Sequence, residues 1–358
     1  MTNIQIGGMA PIRLIAQDRA ETSVAFVEAT ILPGRGMMLL QARLRLASGE
    51  IVDGLMAPDL AGAAQALDGG VDDFAGNASF RFGGSILAPY ANRICGRPTP
   101  DARTILTEIA GHTARLPQNW GGKGPGAQQF AMHGLILNQP FDWRRSAADR
   151  ITGRLVAGDF GVGWPSLTVI EVEWRLDSGG LALSVSARNV GRDPLPMGIG
   201  WHPFFALPSG ERRQARLRMP ARQRVQVNNY DEVLPTGHLD PVSGSAFDYL
   251  SPEGRPLGDA DLDDCFTDLI RHDGVALAEV FDPASRLGLR ITARSPQVRA
   301  FQIYAPSDKA FVAVEPQFNL PDPYGVEWKG HDTGMTTIAP DEVVRYDATV
   351  TPFVLPSP

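Results

Sequence analysis

Hydrophobic and polar residues alternate most regularly in residues 167–190. Apolar side chains recur at every second position, beginning with Ile170, Val172 and Trp174 on the first arm. Acidic, basic and small polar residues fill most positions between them, and the turn 177–180 separates the two arms. Because successive side chains of a strand point to opposite faces, this pattern is typical of a half-buried β-hairpin.

The same alternation, or a short apolar run, recurs along the rest of the chain. Residues 38–46 place apolar side chains on one face and polar ones on the other. The alanine-rich stretch 61–67 is the one modest helix candidate in the first part of the chain. Many strands and few helices indicate a single all-β domain, 1–358, built as a large antiparallel β-sandwich. Further strands are predicted at 51–55, 216–227, 287–293, 299–304, 310–314 and 344–354.

The composition agrees with this fold and narrows the range of partners. The chain has 358 residues with 38 glycines and 29 prolines, which favours many turns between short strands. Its net charge is −7 and it contains no basic tract. An acidic chain of this kind argues against nucleic acid or an anionic membrane as a partner.

Cysteine content and hydropathy bear on the compartment. Cys95 and Cys265 are far apart in sequence, and we expect both thiols to be reduced. The first residues show no basic region followed by a long apolar run, and no stretch approaches the ~18 apolar residues of a membrane span. We therefore expect a cytoplasmic protein, either a monomer or a homodimer.

A single histidine lies among aromatic residues in segment 200–205 (GWHPFF). Pro203 biases His202 toward extended geometry, so we expect the imidazole at a strand end or in a loop. The aromatic neighbours would make the pKa of His202 sensitive to its surroundings. From this segment alone, a catalytic histidine and a histidine that fills a core gap are equally good interpretations.

Three other polar residues interrupt apolar surroundings. Glu315 ends the apolar run 311–315, and it is either a general base or an edge-strand carboxylate bound by backbone amides. Arg93 follows Asn92 between apolar residues and fits a ligand contact or a structural ion pair. His133 fits a binding residue or an ordinary turn histidine.

Two further segments are interpreted as loops. The acidic cluster 261–268 favours a solvated loop or a helix N-terminus. The glycine-rich stretch 121–126 is expected to be a flexible loop that covers a site.

Several common catalytic patterns are missing from the sequence. The six histidines have no metal-binding spacing, and there is no nucleophile elbow, Cys-x-x-Cys pair, phosphate loop or dinucleotide fingerprint. We therefore predict no metal and no cofactor.

Five short segments, in this order, resemble the aldose 1-epimerase (galactose mutarotase) family over essentially the whole chain. Each segment is weak alone, but the order and the chain length together are specific. The segments are Asn92-Arg93, His133-Gly134, 200–205, 263–266 and 315–317.

The resemblance implies a large β-sandwich with an open cleft that interconverts the α and β anomers of a free aldose without a cofactor. It implies Glu315 as general base and His202 as general acid, and a protonated His202 in the resting enzyme. Asp263 would hold sugar hydroxyls. The expected monosaccharide-binding residues are Arg93, His133, Asp263 and Asn92.

The sequence departs from the family pattern near the site, so the sugar is not assigned. Ala206-Leu207 follows the aromatic run where many members have Asn-Leu. Two alternatives stay open. A hexose 6-phosphate epimerase would need two or more Arg or Lys at the cleft rim, for which Arg97, Arg144 and Arg145 are candidates. A sugar-binding protein of the same fold would bind without catalysis.

Overall fold

Strands account for most of the regular structure in the computed structural model, which describes residues 4–17, 24–177 and 180–356. Every strand pairing among these residues is antiparallel, and most strands belong to one of two large sheets. No helix in this part of the chain is long and apolar enough to cross a membrane.

The first large sheet has eleven strands and carries the candidate site. Its spatial order is β1-β2-β3-β5-β17-β27-β26-β22-β19-β20, and β4 pairs with β3. The strands are β1 (Ile12–Ile15), β2 (Ala25–Leu32), β3 (Met38–Arg45), β4 (Ile51–Asp53), β5 (Gly84–Leu87), β17 (Gly200–Ala206), β19 (Ala221–Val227), β20 (Pro235–Pro241), β22 (Leu262–Leu269), β26 (Ala300–Ala305) and β27 (Phe311–Gln317).

The second large sheet has ten strands. Its order is β12-β13-β14-β15-β29-β25-β24-β18-β21, and β23 pairs with β24. The strands are β12 (Asp142–Ala147), β13 (Arg150–Gly158), β14 (Thr168–Asp177), β15 (Gly180–Asn189), β18 (Arg216–Arg218), β21 (Arg255–Pro256), β23 (Arg271–His272), β24 (Val275–Asp282), β25 (Leu287–Ala293) and β29 (Val343–Val354).

The remaining elements are short. Helix α1 begins after Asp59, whose Oδ1 accepts a hydrogen bond from the Gly62 amide at 2.7 Å, a usual N-cap arrangement. The elements are α1 (Leu60–Ala66), the 3₁₀ segments Val71–Phe80 and Val326–Trp328, and the strands β6 (Arg93–Ile94), β7 (Arg97–Pro98), β8 (Thr104–Ile109), β9 (His112–Pro117), β10 (Trp120–Gly121), β11 (Gln129–Met132), β16 (Leu195–Met197) and β28 (Thr336–Ile338).

The main hydrophobic core lies between the two large sheets. It contains buried side chains from both, and Trp174 of β14 meets Trp201 of β17 edge to face at 5.6 Å between ring centroids. Trp174 Nε1 also donates to the Met37 carbonyl at 2.7 Å, so its polar atom is satisfied inside the core. The predicted antiparallel β-sandwich is confirmed.

Most predicted strands are present. The hairpin at 167–190 is confirmed as β14 and β15, whose register runs from Thr168 opposite Asn189 to Asp177 opposite Gly180. Its turn residues 178 and 179 lie outside the described residues. The predicted helix corresponds to α1, and the strands at 38–46, 287–293, 299–304, 310–314 and 344–354 correspond to β3, β25, β26, β27 and β29.

Three predictions about elements were wrong in whole or in part. The predicted strand 216–227 is two strands in different sheets, because Pro220 has no amide hydrogen with which to continue the ladder and the chain crosses between sheets there. The cluster 261–268, expected as a loop or helix start, is largely strand β22. Strand β4 ends at Asp53, so only part of 51–55 is strand.

Candidate active site

A cavity of about 410 Å³ opens beside the central strands of the eleven-stranded sheet. Of the six residues predicted for a site, five line this cavity and the sixth, Asn92, lies behind them. The five lining residues are His202 of β17, Glu315 of β27, Asp263 of β22, Arg93 of β6 and His133 in the turn after β11.

His202 and Glu315 form a buried pair in the cavity. They lie on neighbouring strands β17 and β27, with His202 Nε2 3.3 Å from Glu315 Oε1. His202 is 5% exposed and Glu315 is 1% exposed. His202 lies inside β17 and not at a strand end or in a loop, because Pro203 is compatible with its extended backbone.

Burial decides where the proton of this pair resides. Desolvation, with some help from the charge of Arg93, lowers the pKa of His202 to about 3. Desolvation also raises the pKa of Glu315 well above its usual range, and the charge of Asp263 adds to this. The pair is therefore a carboxylic acid beside a neutral imidazole. The expectation of a protonated His202 at rest was wrong, because the cost of burial outweighs the neighbouring acidic groups.

His133 lies beside this pair in a strained conformation. Its φ of 63° is in the left-handed region, and Gly134 follows at 84°. Such strain costs about 1–3 kcal/mol and is commonest at functional sites. The His133 ring meets that of His202 edge to face at 4.9 Å, and burial lowers its pKa well below the usual value. His133 is therefore a second neutral imidazole facing the cavity.

Arg93 and Asp263 are fixed by a closed ring of hydrogen bonds. Arg93 pairs with Asp263 at 3.3 Å and donates to Asn92 Oδ1 at 2.7 Å. Asn92 Nδ2 donates to Gln302 Oε1 at 2.9 Å, and Gln302 Nε2 donates to Asp263 Oδ1 at 2.6 Å. Each member orients the next, so the ion pair is held rigidly at the edge of the cavity.

The segment that carries Asn92 and Arg93 is positioned by a buried asparagine. Asn319 Oδ1 accepts from the Ala91 amide at 3.0 Å, and its Nδ2 donates to the Ala91 carbonyl at 2.8 Å. The side chain thus pairs with backbone as a strand would. One residue later, Asn92 takes a φ of 61°, which asparagine tolerates better than most residues.

Several buried polar atoms of the residues that line the cavity have no hydrogen-bond partner among the described residues. They are both ring nitrogens of His133, Nδ1 of His202, Oε2 of Glu315 and Nε of Arg93. An unsatisfied buried polar atom costs about 1–3 kcal/mol. Five such atoms around one cavity indicate a site that is completed by polar contacts with a ligand or water.

The walls and mouth of the cavity are aromatic and cationic. Phe204 stacks on His202 at 4.6 Å, and Phe80 meets His133 edge to face at 4.9 Å. The cations Arg81, Lys123 and Lys309 also line the cavity. Within the described residues, Arg97, Arg144 and Arg145 are not among the lining residues, so the predicted candidates for rim cations were wrong.

Gly121 and Lys123 of the glycine-rich stretch 121–126 line the cavity, and hydrogen bonds hold this stretch in place. Asp231 accepts from the amides of Lys123 at 2.9 Å and Gly124 at 3.0 Å, and Glu232 accepts from that of Gln128 at 2.6 Å. Its position beside the site is as expected, whereas its closure over a ligand stays a prediction.

Sequence reasoning missed Gln302 and Asn319. Gln302 is a lone polar residue inside the apolar strand β26 and is directly opposite Glu315 in the register. This interruption of an apolar run was the available signal. Asn319 lies in a loop, and no pattern marked it.

Three of the cavity residues could also hold a cation. Ligand atoms of His133, His202 and Glu315 lie within 4.8 Å of one another. They come from three separate segments, so sequence spacing could not reveal them. The absence of a metal stays a prediction. Cys95 and Cys265 are free cysteines.

The chain matches the family model described as aldose 1-epimerase over residues 67–350. It is 24% identical over 161 residues to the uncharacterised protein YihR of Escherichia coli K12, a match that covers 44% of this chain and 47% of YihR. The chain therefore spans about half the length of this curated relative.

Solved structures share the fold. A galactose mutarotase-like protein from Clostridium acetobutylicum is 18% identical with a TM-score of 0.70, over 93% of this chain and 94% of that one. An aldose epimerase homologue from C. elegans is 18% identical with a TM-score of 0.70, over 97% and 99%. A galactose 1-epimerase from Lactobacillus acidophilus is 16% identical with a TM-score of 0.65, over 97% and 99%. The mutarotase-like β-sandwich predicted for this chain is confirmed.

Proposed function

Since the chain belongs to the aldose 1-epimerase family, we propose that it is an isomerase that interconverts the α and β anomers of an aldose. The observation that carries this proposal is the buried His202–Glu315 pair, with unsatisfied polar atoms facing one cavity. Binding alone does not require an acid and a base in contact. Anomer exchange needs both, because one proton leaves the anomeric hydroxyl as another reaches the ring oxygen.

The pair holds one proton, which is the number that the reaction requires. With the proton on His202, the Glu315 carboxylate takes the proton of the O1 hydroxyl while the imidazolium protonates the ring oxygen. The C1–O5 bond breaks and the open-chain aldehyde forms. Rotation about C1–C2 and the reverse transfers give the other anomer and restore the pair.

The resting form differs from this reactive form by one proton transfer. At rest the carboxyl of Glu315 carries the proton. Moving it to His202 across the 3.3 Å contact creates the carboxylate and the imidazolium. A polar sugar in the cavity replaces part of the solvation that burial removed, which favours the charged form.

The other site residues hold the sugar. Asp263, oriented by Gln302 and Arg93, accepts hydrogen bonds from sugar hydroxyls. His133 offers one donor and one acceptor from its unpaired ring nitrogens. Asn92 acts behind Arg93 by fixing the guanidinium.

The test is anomer exchange by polarimetry on freshly dissolved α-glucose, α-galactose, α-xylose and α-arabinose. We expect wild type to accelerate exchange, and Glu315→Gln or His202→Asn to lower that acceleration about 10²–10⁴-fold, since each removes one proton transfer. Glu171→Gln is the matched control, because Glu171 is an exposed carboxylate on β14. Circular dichroism checks that each variant is folded.

Two results would contradict the proposal. One is a wild type that leaves every sugar, neutral or anionic, at its spontaneous rate. The other is a folded Glu315→Gln variant that is as fast as wild type. Binding of a sugar without faster exchange would indicate a carbohydrate-binding protein of the same fold.

A further inference from the structure

Three exposed cations line the mouth of the cavity that contains the His202–Glu315 pair. Arg81 and Lys123 form no ion pair within 4.0 Å in the described part of the chain, and Arg81 makes only a long 3.5 Å contact with Asn77. Lys309 pairs with Asp308 at 3.0 Å, but both side chains are more than half exposed. An exposed pair of this kind contributes little, so all three cations are available to a ligand.

A series of ring contacts links Arg81 to the catalytic pair. The Arg81 guanidinium lies 5.8 Å from the Trp120 ring, and Trp120 meets Phe80 at 5.3 Å. Phe80 meets His133 at 4.9 Å, and His133 meets His202 at 4.9 Å. Arg81 is therefore remote from the reacting atoms but on the same wall of the cavity.

A second series leads from His202 toward Lys309. Phe204 stacks on His202 at 4.6 Å and meets Phe311 at 5.2 Å. Phe311 begins β27, two residues after Lys309. Positive charge is thus present at the outer ends of two separate walls of the cavity.

Lys123 is placed at the mouth by its backbone. Its amide donates to Asp231 Oδ1, and the next amide, of Gly124, donates to Asp231 Oδ2. These bonds lower the pKa of Asp231, so it stays ionised, and they occupy both its oxygens. Asp231 therefore fixes the loop that carries Lys123. Because both of its oxygens accept hydrogen bonds from backbone amides, Asp231 neutralises the ammonium group of Lys123 only in part.

The balance of charge at the mouth is opposite to that of the chain. The chain as a whole carries −7. Inside the cavity, Arg93 is already paired with Asp263, and burial raises the pKa of Glu315, which favours its neutral form. At the mouth, the three cations have two carboxylates nearby among the described residues, namely Asp231, which lines the cavity, and Asp308, which pairs with Lys309. A positive patch at the opening of an acidic protein concentrates and orients anionic ligands.

We propose, resting on the proposed epimerase activity, that the preferred substrate is an aldose with an anionic group at the carbon farthest from C1. The catalytic pair holds C1 and the ring oxygen deep in the cavity, so the far end of the sugar lies toward the mouth. A phosphate ester and a carboxylate both fit Arg81, Lys123 and Lys309, since each accepts charge-assisted hydrogen bonds from guanidinium and ammonium groups.

The experiment compares glucose, glucose 6-phosphate and glucuronate as substrates, with anomer exchange measured by exchange NMR at equilibrium. The variants are Arg81→Gln and Lys123→Gln. Arg144→Gln is the matched control, because Arg144 is an exposed cation on β12 outside this cavity.

We expect kcat/KM for at least one anionic sugar to exceed that for glucose by about tenfold or more. Each of Arg81→Gln and Lys123→Gln should lower the ratio of anionic to neutral kcat/KM about tenfold, and Arg144→Gln should not change it. Raising the salt from about 50 to about 500 mM should lower the anionic value much more than the glucose value.

The outcomes separate this inference from the proposed function. A preference for glucose 6-phosphate assigns a phosphosugar, and one for glucuronate assigns a uronic acid. If glucose is exchanged as fast as both anionic sugars and the variants leave the ratios unchanged, the inference is overturned while the epimerase function stands. If wild type accelerates none of the three, the proposed function fails and this inference fails with it.

Discussion

The two large sheets of the sandwich treat polar residues in opposite ways. In the ten-stranded sheet, β14 alternates between buried apolar residues and partly or fully exposed charged ones such as Glu171. In the eleven-stranded sheet, β17 and β27 are buried almost throughout, yet they contain His202 and Glu315. One sheet supplies stability by burial of apolar surface, while the other accepts a cost in stability to carry a site.

The difference follows from what covers each sheet. The ten-stranded sheet has one face against the core and one toward solvent, so alternation satisfies both. The central strands of the eleven-stranded sheet are covered on their second face as well, by β6, which carries Arg93, and by the turn that carries His133. A titratable side chain there is removed from water, which shifts its pKa in the direction that favours the neutral form.

The largest stability effect should come from the sheet without the site. Ile291 of β25 is completely buried in the main core. Ile291→Ala should lower the free energy of unfolding by about 2–5 kcal/mol, because it removes buried methyl groups and leaves a cavity. Denaturant unfolding measures this change.

Glu315→Gln should have the opposite effect, with little loss of stability and a large loss of activity. Its carboxyl is already neutral, so a neutral amide of the same shape should lower the free energy of unfolding by no more than about 1 kcal/mol.

Anomer exchange by folded Ile291→Ala should equal that of wild type. A variant of Ile291 that stays folded but loses activity would break the separation of the two sheets.

The pH dependence of stability should report the buried groups of the site. The lowered pKa values of His202 and His133 mean that their stabilising contribution is complete above the unfolded value of about 6.5 and is lost as the pH falls below it. The raised pKa of Glu315 acts oppositely, and its contribution is complete below about 4.5 and is lost as the pH rises.

Between pH about 4.5 and 6.5, these three groups together therefore bind about one proton more in the unfolded chain than in the folded one. Their combined contribution to the free energy of unfolding should fall by about 1.4 kcal/mol per pH unit on acidification. Relative to wild type, Glu315→Gln should make the fall steeper by about 1.4 kcal/mol per pH unit, and His202→Asn should make it shallower by about the same amount. Unfolding curves at several pH values measure the slopes, and equal slopes for all three proteins would contradict the assignment.

The smallest effect should come from the solvent face of the ten-stranded sheet. Arg154 and Glu171 lie 3.9 Å apart with more than half of each side chain exposed. Arg154→Ala should change the free energy of unfolding by no more than about 0.5 kcal/mol, because water and salt screen such a pair. A thermal melt is sufficient to check it, and a shift as large as that of Ile291→Ala would be the contrary result.

The same contrast explains what the sequence could predict. The hairpin at 167–190 was predicted because its alternating pattern indicates one buried face and one solvent-exposed face. Strand β22 was missed because its acidic residues resemble a solvated loop, although Asp264 is buried against Arg224 at 2.8 Å. Solvent exposure could not be inferred from residue types where charged groups are paired inside.

Five of the six residues predicted for the site line one cavity, but the protonation of His202 was not predicted. Family resemblance selected residues from five segments that converge on one cavity. The protonation of His202 was predicted wrongly, since a pKa depends on the depth of burial and on the distance to Arg93, which no local pattern contains. The rim cations were misassigned for a similar reason, because proximity in sequence does not give proximity across a sandwich.

The left-handed backbone at His133 restricts the residues that the position can accept. An alanine there would lose the imidazole and still occupy a conformation that alanine disfavours, whereas asparagine, aspartate and glycine adopt it more readily. At Gly134, a Cβ atom would lie 2.3 Å from the Ala88 carbonyl oxygen, so no other residue fits without a shift. A saturation library selected only for folding should therefore retain a narrow set of residues at 133 and glycine alone at 134, so that both positions would be restricted before any selection for catalysis.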